Sequence, residues 1–134
     1  MNNKSTLNNI VTFFLLPYML CFGFYVQIFG EVAPGGGFQA GAIFTSAFIA
    51  YDLSIDNISK YVSSNLLVKI GSSGVLLYIF TGLYSFLSGY NFLNYNCLPG
   101  YNPQATGIIL VELGVGIAVS AVLLLLYCEI RDAD

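Results

Sequence analysis

The chain lacks histidine and tryptophan altogether, and only four of its 134 residues are basic. The absence of histidine excludes an imidazole general base, a histidine metal ligand and an imidazole switch near neutral pH. Charged residues make up 8% of the chain, whereas an average globular domain carries about 25%. The net charge of −3 is too small to indicate a strongly acidic or basic partner, so the sequence gives no sign of nucleic-acid binding.

Motifs of enzyme chemistry are also missing from the sequence. It contains no phosphate-binding loop, no serine nucleophile elbow and no paired metal-binding histidines. The three cysteines, Cys21, Cys97 and Cys128, fall in separate parts of the predicted topology, so they indicate neither a disulfide nor a metal cluster. We therefore expect no catalytic activity, no cofactor and no bound metal.

Apolar residues are abundant: they make up 57% of the chain, and the mean hydropathy is +0.77. A helix needs about 20 mainly apolar residues to cross the hydrocarbon core of a bilayer. The sequence predicts an all-α integral membrane protein, one domain over residues 1–134, with four transmembrane helices near residues 10–29, 36–53, 66–87 and 106–128. The second is the weakest, and a re-entrant hairpin over residues 34–41 is the alternative.

The few basic residues predict the orientation. Four crossings place Lys4, Lys60, Lys69 and Arg131 on one side, together with both termini, and the positive-inside rule assigns this side to the cytoplasm. We thus expect a multi-pass protein of the inner (plasma) membrane. The first apolar run is longer than the roughly 7–15 residues of a signal-peptide core, so we interpret it as a retained helix.

A glycine-rich segment separates the first two predicted helices. Residues 33–41 read APGGGFQAG. Consecutive glycines weaken a helix because they lose the most backbone entropy on ordering. The segment is therefore predicted to be a tight turn that lets the next helix start close against a neighbour. Its candidate turn and packing residues are Pro34, Gly35, Gly36, Gly37, Phe38 and Gly41.

Small residues also recur at helical spacing. Gly37 and Gly41 lie one turn apart in the second predicted helix, and Gly116 and Ser120 have the same spacing in the fourth. Faces of this kind bind other helices. The partner helix can belong to this chain or to another membrane protein, and the spacing leaves both alternatives open.

Glu112 is the most informative single residue. It lies about five residues from the middle of the fourth predicted helix and shares a face with Gly116 and Ser120. A carboxylate at that depth costs several kcal/mol unless it is paired, hydrated or protonated. Glu112 is therefore a candidate for an ion path, and the alternative is a structural acid that hydrogen-bonds a neighbouring helix.

Three other charged residues are secondary candidates. Lys69, just inside the third predicted helix, can extend its ammonium group to the inner surface. Asp52 falls at the same surface, where solvated charges are common. Glu31 adjoins the glycine-rich turn on the opposite side, where it could attract cations or simply be a hydrated surface acid.

Several segments together resemble the MnhB/MrpB family, the B subunits of multisubunit Na+/H+ antiporters. They are residues 24–27 (FYVQ), Gly30, residues 33–38 (APGGGF), Gly41, residues 50–53 (AYDL) and residues 112–116 (ELGVG). The resemblance implies a small four-helix membrane subunit of an antiporter for Na+ or another monovalent cation, within an assembly related to respiratory complex I. It also implies that Glu112 is the intramembrane acid of the last helix and that residues 35–37 are the signature turn.

One position departs from the family. Members often carry histidine immediately after the glycine that ends the first helix, and this chain carries Glu31 there. The implied partners are other membrane subunits, a monovalent cation, H+ and the lipid bilayer. Two alternatives stay open: a passive structural subunit of the same complex, and a B-like membrane subunit of an energy-converting hydrogenase-type complex.

Overall fold

The computed structural model describes residues 3–30, 32, 34–55 and 62–133, and it confirms the all-helical class. A short 3-10 helix, Tyr95–Cys97, lies in the loop that connects the last two long helices. The described long helices are α1 (Asn3–Ile28), α2 (Gly37–Ile55), α3 (Ser64–Leu87) and α4 (Pro103–Ala133). Each covers nearly all of one predicted span and extends beyond it, α1 and α4 by the most residues.

Three of these helices are long and apolar enough to cross a membrane. They span Asn9–Ile28 in α1, all of Ser64–Leu87 in α3 and Pro103–Arg131 in α4. Helix α2, with 19 residues, is not among them, because polar residues such as Gln39 and Asp52 make it less apolar. Its length of about 28 Å, at 1.5 Å per residue, is close to the thickness of a bilayer core.

The helices lie side by side in a row, in the order α1, α2, α4, α3. Helix α2 packs against α1 and α4, while α3 packs against α4 alone among the long helices that the structure describes. Helices in a row enclose little space, so most large apolar side chains of the described residues are exposed, and the largest fully buried side chains among them are Asp52 and Ser85. Both broad faces of the row are therefore suited to an apolar environment.

Glycines allow α3 and α4 to pack closely. A Cβ atom at Gly74 would lie 2.5 Å from the carbonyl oxygen of Gly114, so the two backbones meet directly. The α3–α4 loop, residues 88–102, folds back over this pair, with the Phe92 ring against Gly82 and the Tyr95 ring against Gly107. Burial, with the nearby Tyr78 as a second cause, raises the pKa of the Tyr95 phenol.

Helix α2 begins well short of the end of α4. Helix α2 starts at Gly37, against Glu112 of α4. Glu112 lies nine residues after Pro103, which is about 14 Å along the helix axis. On the N-terminal side of Glu112, helix α4 extends beyond the start of α2, and its residues 108–111 there are apolar. The start of α2 is therefore recessed relative to the ends of α3 and α4.

Candidate functional site

The segment between α1 and α2, residues 29–36, is named here the α1–α2 turn. The Gly36 N–H donates to the Val26 carbonyl at 3.3 Å, and the Ala40 N–H donates to the Gly36 carbonyl at 3.0 Å. Gly36 has a φ of +124°, a conformation that strains any other residue. The turn thus folds back onto the last residues of α1. Glu31, a secondary candidate of the sequence analysis, lies outside the described residues.

The two small-residue stripes face each other within the chain. A Cβ at Gly37 would lie 2.1 Å from the Glu112 carbonyl oxygen, and one at Gly41 would lie 2.9 Å from that of Gly116. The Ser120 hydroxyl donates to the Gly41 carbonyl at 3.3 Å, and the Thr45 hydroxyl donates to the Ser120 carbonyl at 3.2 Å. Of the two alternatives for these stripes, the structure shows packing inside the chain, between α2 and α4.

The Glu112 carboxylate lies over the α1–α2 turn. A Cβ at Gly30 would lie 2.9 Å from Glu112 Oε2, and one at Gly36 would lie 3.3 Å from Oε1. The residue is half-buried, and its Oε2 atom is screened from solvent. Two glycines without side chains leave space for this carboxylate, so the acid points into the protein.

Gln27 is a buried polar residue near the same turn that sequence reasoning missed. Its side chain is only 6% exposed, and its Oε1 atom lies 2.5 Å from where a Cβ of Gly116 would be. The carboxamide thus fills the space left by that glycine. Within the described residues, Gln27 Nε2 has no hydrogen-bond partner. The available signal was an amide in an otherwise apolar stretch of α1.

Asp52 corrects the sequence analysis. The expectation of a solvated surface charge is wrong, because the side chain is 1% exposed and forms an ion pair with Arg131. The Tyr127 hydroxyl donates to the same Asp52 oxygen at 2.9 Å. Tyr127 and Arg131 are four residues apart on α4, so both reach α2 from one helix face. That spacing was the signal that sequence reasoning did not use.

The other candidates lie apart from the Glu112 carboxylate. Lys69 is exposed on α3 in the half of the row opposite the α1–α2 turn, while Pro34 is exposed in the turn and Phe38 is exposed at the start of α2. In the described part of the chain, no three Cys, Asp or Glu residues cluster closely enough to hold a metal ion. Two polar side chains lie near the turn: the Glu112 carboxylate on α4 and the buried Gln27 carboxamide on α1.

These features define a small multi-pass membrane protein, built as a row of helices with an acid turned into the protein. Residues 7–125 match the family described as a domain related to the MnhB subunit of Na+/H+ antiporter, and the chain belongs to this family. The resemblance seen in the sequence is thereby confirmed.

Individual relatives agree with this assignment. The chain is 34% identical to the Na(+)/H(+) antiporter B subunit of Bacillus subtilis (strain 168), over 96% of this chain and 92% of that protein. It is 31% identical to the uncharacterized protein MJ1307 of Methanocaldococcus jannaschii, over 69% of this chain and 37% of that protein. It is 51% identical to the putative antiporter subunit mnhB2 of Staphylococcus haemolyticus, over 38% of this chain and 33% of that protein.

Proposed function

We propose that this protein is the B-type component of a multisubunit antiporter that exchanges Na+, or another monovalent cation, for H+ across the inner (plasma) membrane. The proposal is supported by the family match and by the coverage of 92% of the Bacillus subtilis relative. The protein has no catalytic activity of its own and works with other membrane subunits. The row of helices supports this, since its two broad apolar faces offer room for lipid and for neighbouring helices.

The proposal includes four membrane crossings, with both termini in the cytoplasm. Helix α2 is supported as the fourth crossing by its position, since it packs between two helices that are apolar enough to span the membrane. Two of its polar side chains also have partners on α4: the Thr45 hydroxyl donates to the Ser120 carbonyl, and Asp52 pairs with Arg131. An even number of crossings keeps the basic residues on one side, as the positive-inside rule requires.

Cysteine labelling tests this topology. Val32 in the α1–α2 turn is 86% exposed, and Asn65 at the start of α3 is exposed. In a background with all three native cysteines replaced by serine, we expect a membrane-impermeant maleimide to label Val32→Cys in intact cells. Asn65→Cys should react only after the cells are permeabilised. Labelling of both positions from the same side would contradict a crossing by α2.

The observation that carries an ion-path role is the position of the Glu112 carboxylate over the α1–α2 turn. Intramembrane acids that point into protein commonly mark proton or ion pathways. Carboxylate oxygens are ligands that hard cations prefer, and a carboxylate also accepts a proton. Glu112 is supported in this role because its oxygens lie against Gly30 and Gly36, on the recessed side of the row.

Glu112→Gln is expected to lower Na+-dependent proton transport in membrane vesicles by roughly tenfold or more, since positioned proton-transfer groups contribute on the order of 10²-fold in rate. The intact complex should still assemble on a native gel, because glutamine preserves the shape of the side chain. Glu129→Gln is the matched control on α4, where an exposed acid accepts a bond from Ser64 at 2.9 Å. It should keep nearly full transport.

The same experiment separates an ion-path role from a passive structural one. In the structural alternative, Glu112→Gln loses assembled complex and transport in the same proportion. Normal assembly with unchanged transport would remove Glu112 from the path. Membership of a larger complex is tested separately, by isolating the chain in mild detergent and identifying the membrane proteins that remain bound to it.

A further inference from the structure

Gln27 is a buried donor that the Glu112 hypothesis does not use. An amide N–H that is buried without an acceptor destabilises the folded protein. Gln27 is more than nine-tenths buried, and its Nε2 atom has no hydrogen-bond partner within the described residues. An apolar side chain would occupy this position without that cost. The amide therefore calls for an acceptor that the described residues do not place beside it.

Helix geometry brings this amide close to the carboxylate. Gln27 lies against Gly116, while Glu112 lies against Gly30. Gln27 and Gly30 are three residues apart on α1, and Glu112 and Gly116 are four residues apart on α4. In each helix the two positions are therefore about one turn, roughly 5–6 Å, apart on the same face. The carboxamide and the carboxylate are thus separated by about one helical turn. A gap of this size between polar groups suits a single bridging water.

We propose that Gln27 is a positioning residue for Glu112: its Nε2 group donates to one bound water, which in turn donates to the carboxylate and holds it over the α1–α2 turn. The transport consequence rests on the proposed function, since the carboxylate is the group that meets the ion. Gly116 belongs to the same arrangement, because its missing side chain leaves the space that the carboxamide occupies.

The proposal has a consequence for protonation. A donor held toward the carboxylate favours the ionised form, so losing that donor keeps the carboxyl protonated up to a higher pH. Other groups near the site are Gln39 on α2, which is exposed and uncharged, and Tyr78 on α3, which lies against Gly114. Glu31 follows Gly30 in the sequence and lies outside the described residues. The experiment is therefore done in a Glu31→Gln background.

Labelling with a hydrophobic carbodiimide, which reacts with protonated carboxyl groups, measures this protonation in membranes that contain the intact complex. The readout is modification of the Glu112-containing peptide as a function of pH, with Glu112→Gln as the blank. Gln27→Met keeps the length of the side chain and removes the donor. We expect it to raise the pH of half-maximal labelling by about one unit or more, the scale of one lost hydrogen bond to a charged group.

Gln104→Met is the matched control, because it makes the same change at an exposed amide of α4, eight residues from Glu112, and its labelling midpoint should stay unchanged. An unchanged midpoint in Gln27→Met would overturn the proposal. If Gln27→Met does not accumulate, Gln27→Asn is used instead, because it keeps the amide and draws it back by one methylene. A raised labelling midpoint in Gln27→Asn supports the proposal, and an unchanged midpoint overturns it. Failure of the proposed function gives a different result from failure of this proposal. If Glu112 were not on the ion path, Glu112→Gln would leave transport intact, whatever the labelling midpoint of Gln27→Met.

Discussion

Gly37→Ala is expected to remove most of the folded protein from the membrane. The new Cβ would lie 2.1 Å from the carbonyl oxygen of Glu112 and 3.0 Å from the amide nitrogen of Gly116. These are backbone atoms of a helix, so they cannot rotate away as a side chain would. Helix α2 would have to separate from α4, which also breaks the bonds of Thr45 and Ser120 across the interface. Overpacking typically costs about 1–3 kcal/mol, occasionally more, and the broken bonds add to this.

Gly71→Ala is the matched control, because it is the same substitution in a helix-packing position of α3. Its Cβ would meet the Ala121 Cβ at 3.4 Å, which is ordinary contact. Alanine also favours the helix over glycine by about 1 kcal/mol. Membrane-inserted protein and the melting temperature in detergent should therefore be unchanged or higher for Gly71→Ala and much lower for Gly37→Ala. Equal melting temperatures for the two variants would refute close contact between α2 and α4.

The helices were predictable from the sequence, but their order in the row was not. Apolar runs of sufficient length mark α1, α3 and α4 directly. In a membrane, however, side chains that face lipid are as apolar as those that face a neighbouring helix. Hydropathy therefore does not tell which face of α4 meets α2 and which meets α3. The glycine spacings gave part of this information, since Gly37 and Gly41 do lie on the buried face of α2.

Those residues of the candidate site that are unusual in an apolar helix could be predicted from the sequence, and the others could not. Glu112 and the glycine-rich turn stand out in the sequence, and the structure places them together. Gln27 carries no charge, so its burial became visible only in the structure, where the end of α1 meets Gly116 of α4. Asp52 was misinterpreted because its partner Arg131 is 79 residues away along the chain. A single sequence, taken residue by residue, does not reveal such a pairing.

Removing Arg131 should destabilise the protein more than removing the charge of Asp52. Arg131→Met leaves the carboxylate, whose side chain is 1% exposed, without its guanidinium. Asp52→Asn leaves an arginine whose side chain is 31% exposed and can reach water at the membrane surface. Removing one partner of a buried pair is costly chiefly because a charge is left behind in a medium of low dielectric. We expect the melting temperature to fall at least about twice as far for Arg131→Met as for Asp52→Asn.

The melting temperature is measured by the reactivity of Cys128 toward a thiol-reactive dye during heating, because Cys128 is buried beside Tyr127 and becomes accessible on unfolding. The other two cysteines are replaced by serine so that one thiol reports. The double variant Asp52→Asn with Arg131→Met removes both charges, so it should be more stable than Arg131→Met alone. Tyr127→Phe removes one hydrogen bond and keeps the ion pair, and it should cost only about 1–2 kcal/mol. A double variant that melts below Arg131→Met would mean that the two charges do not compensate each other.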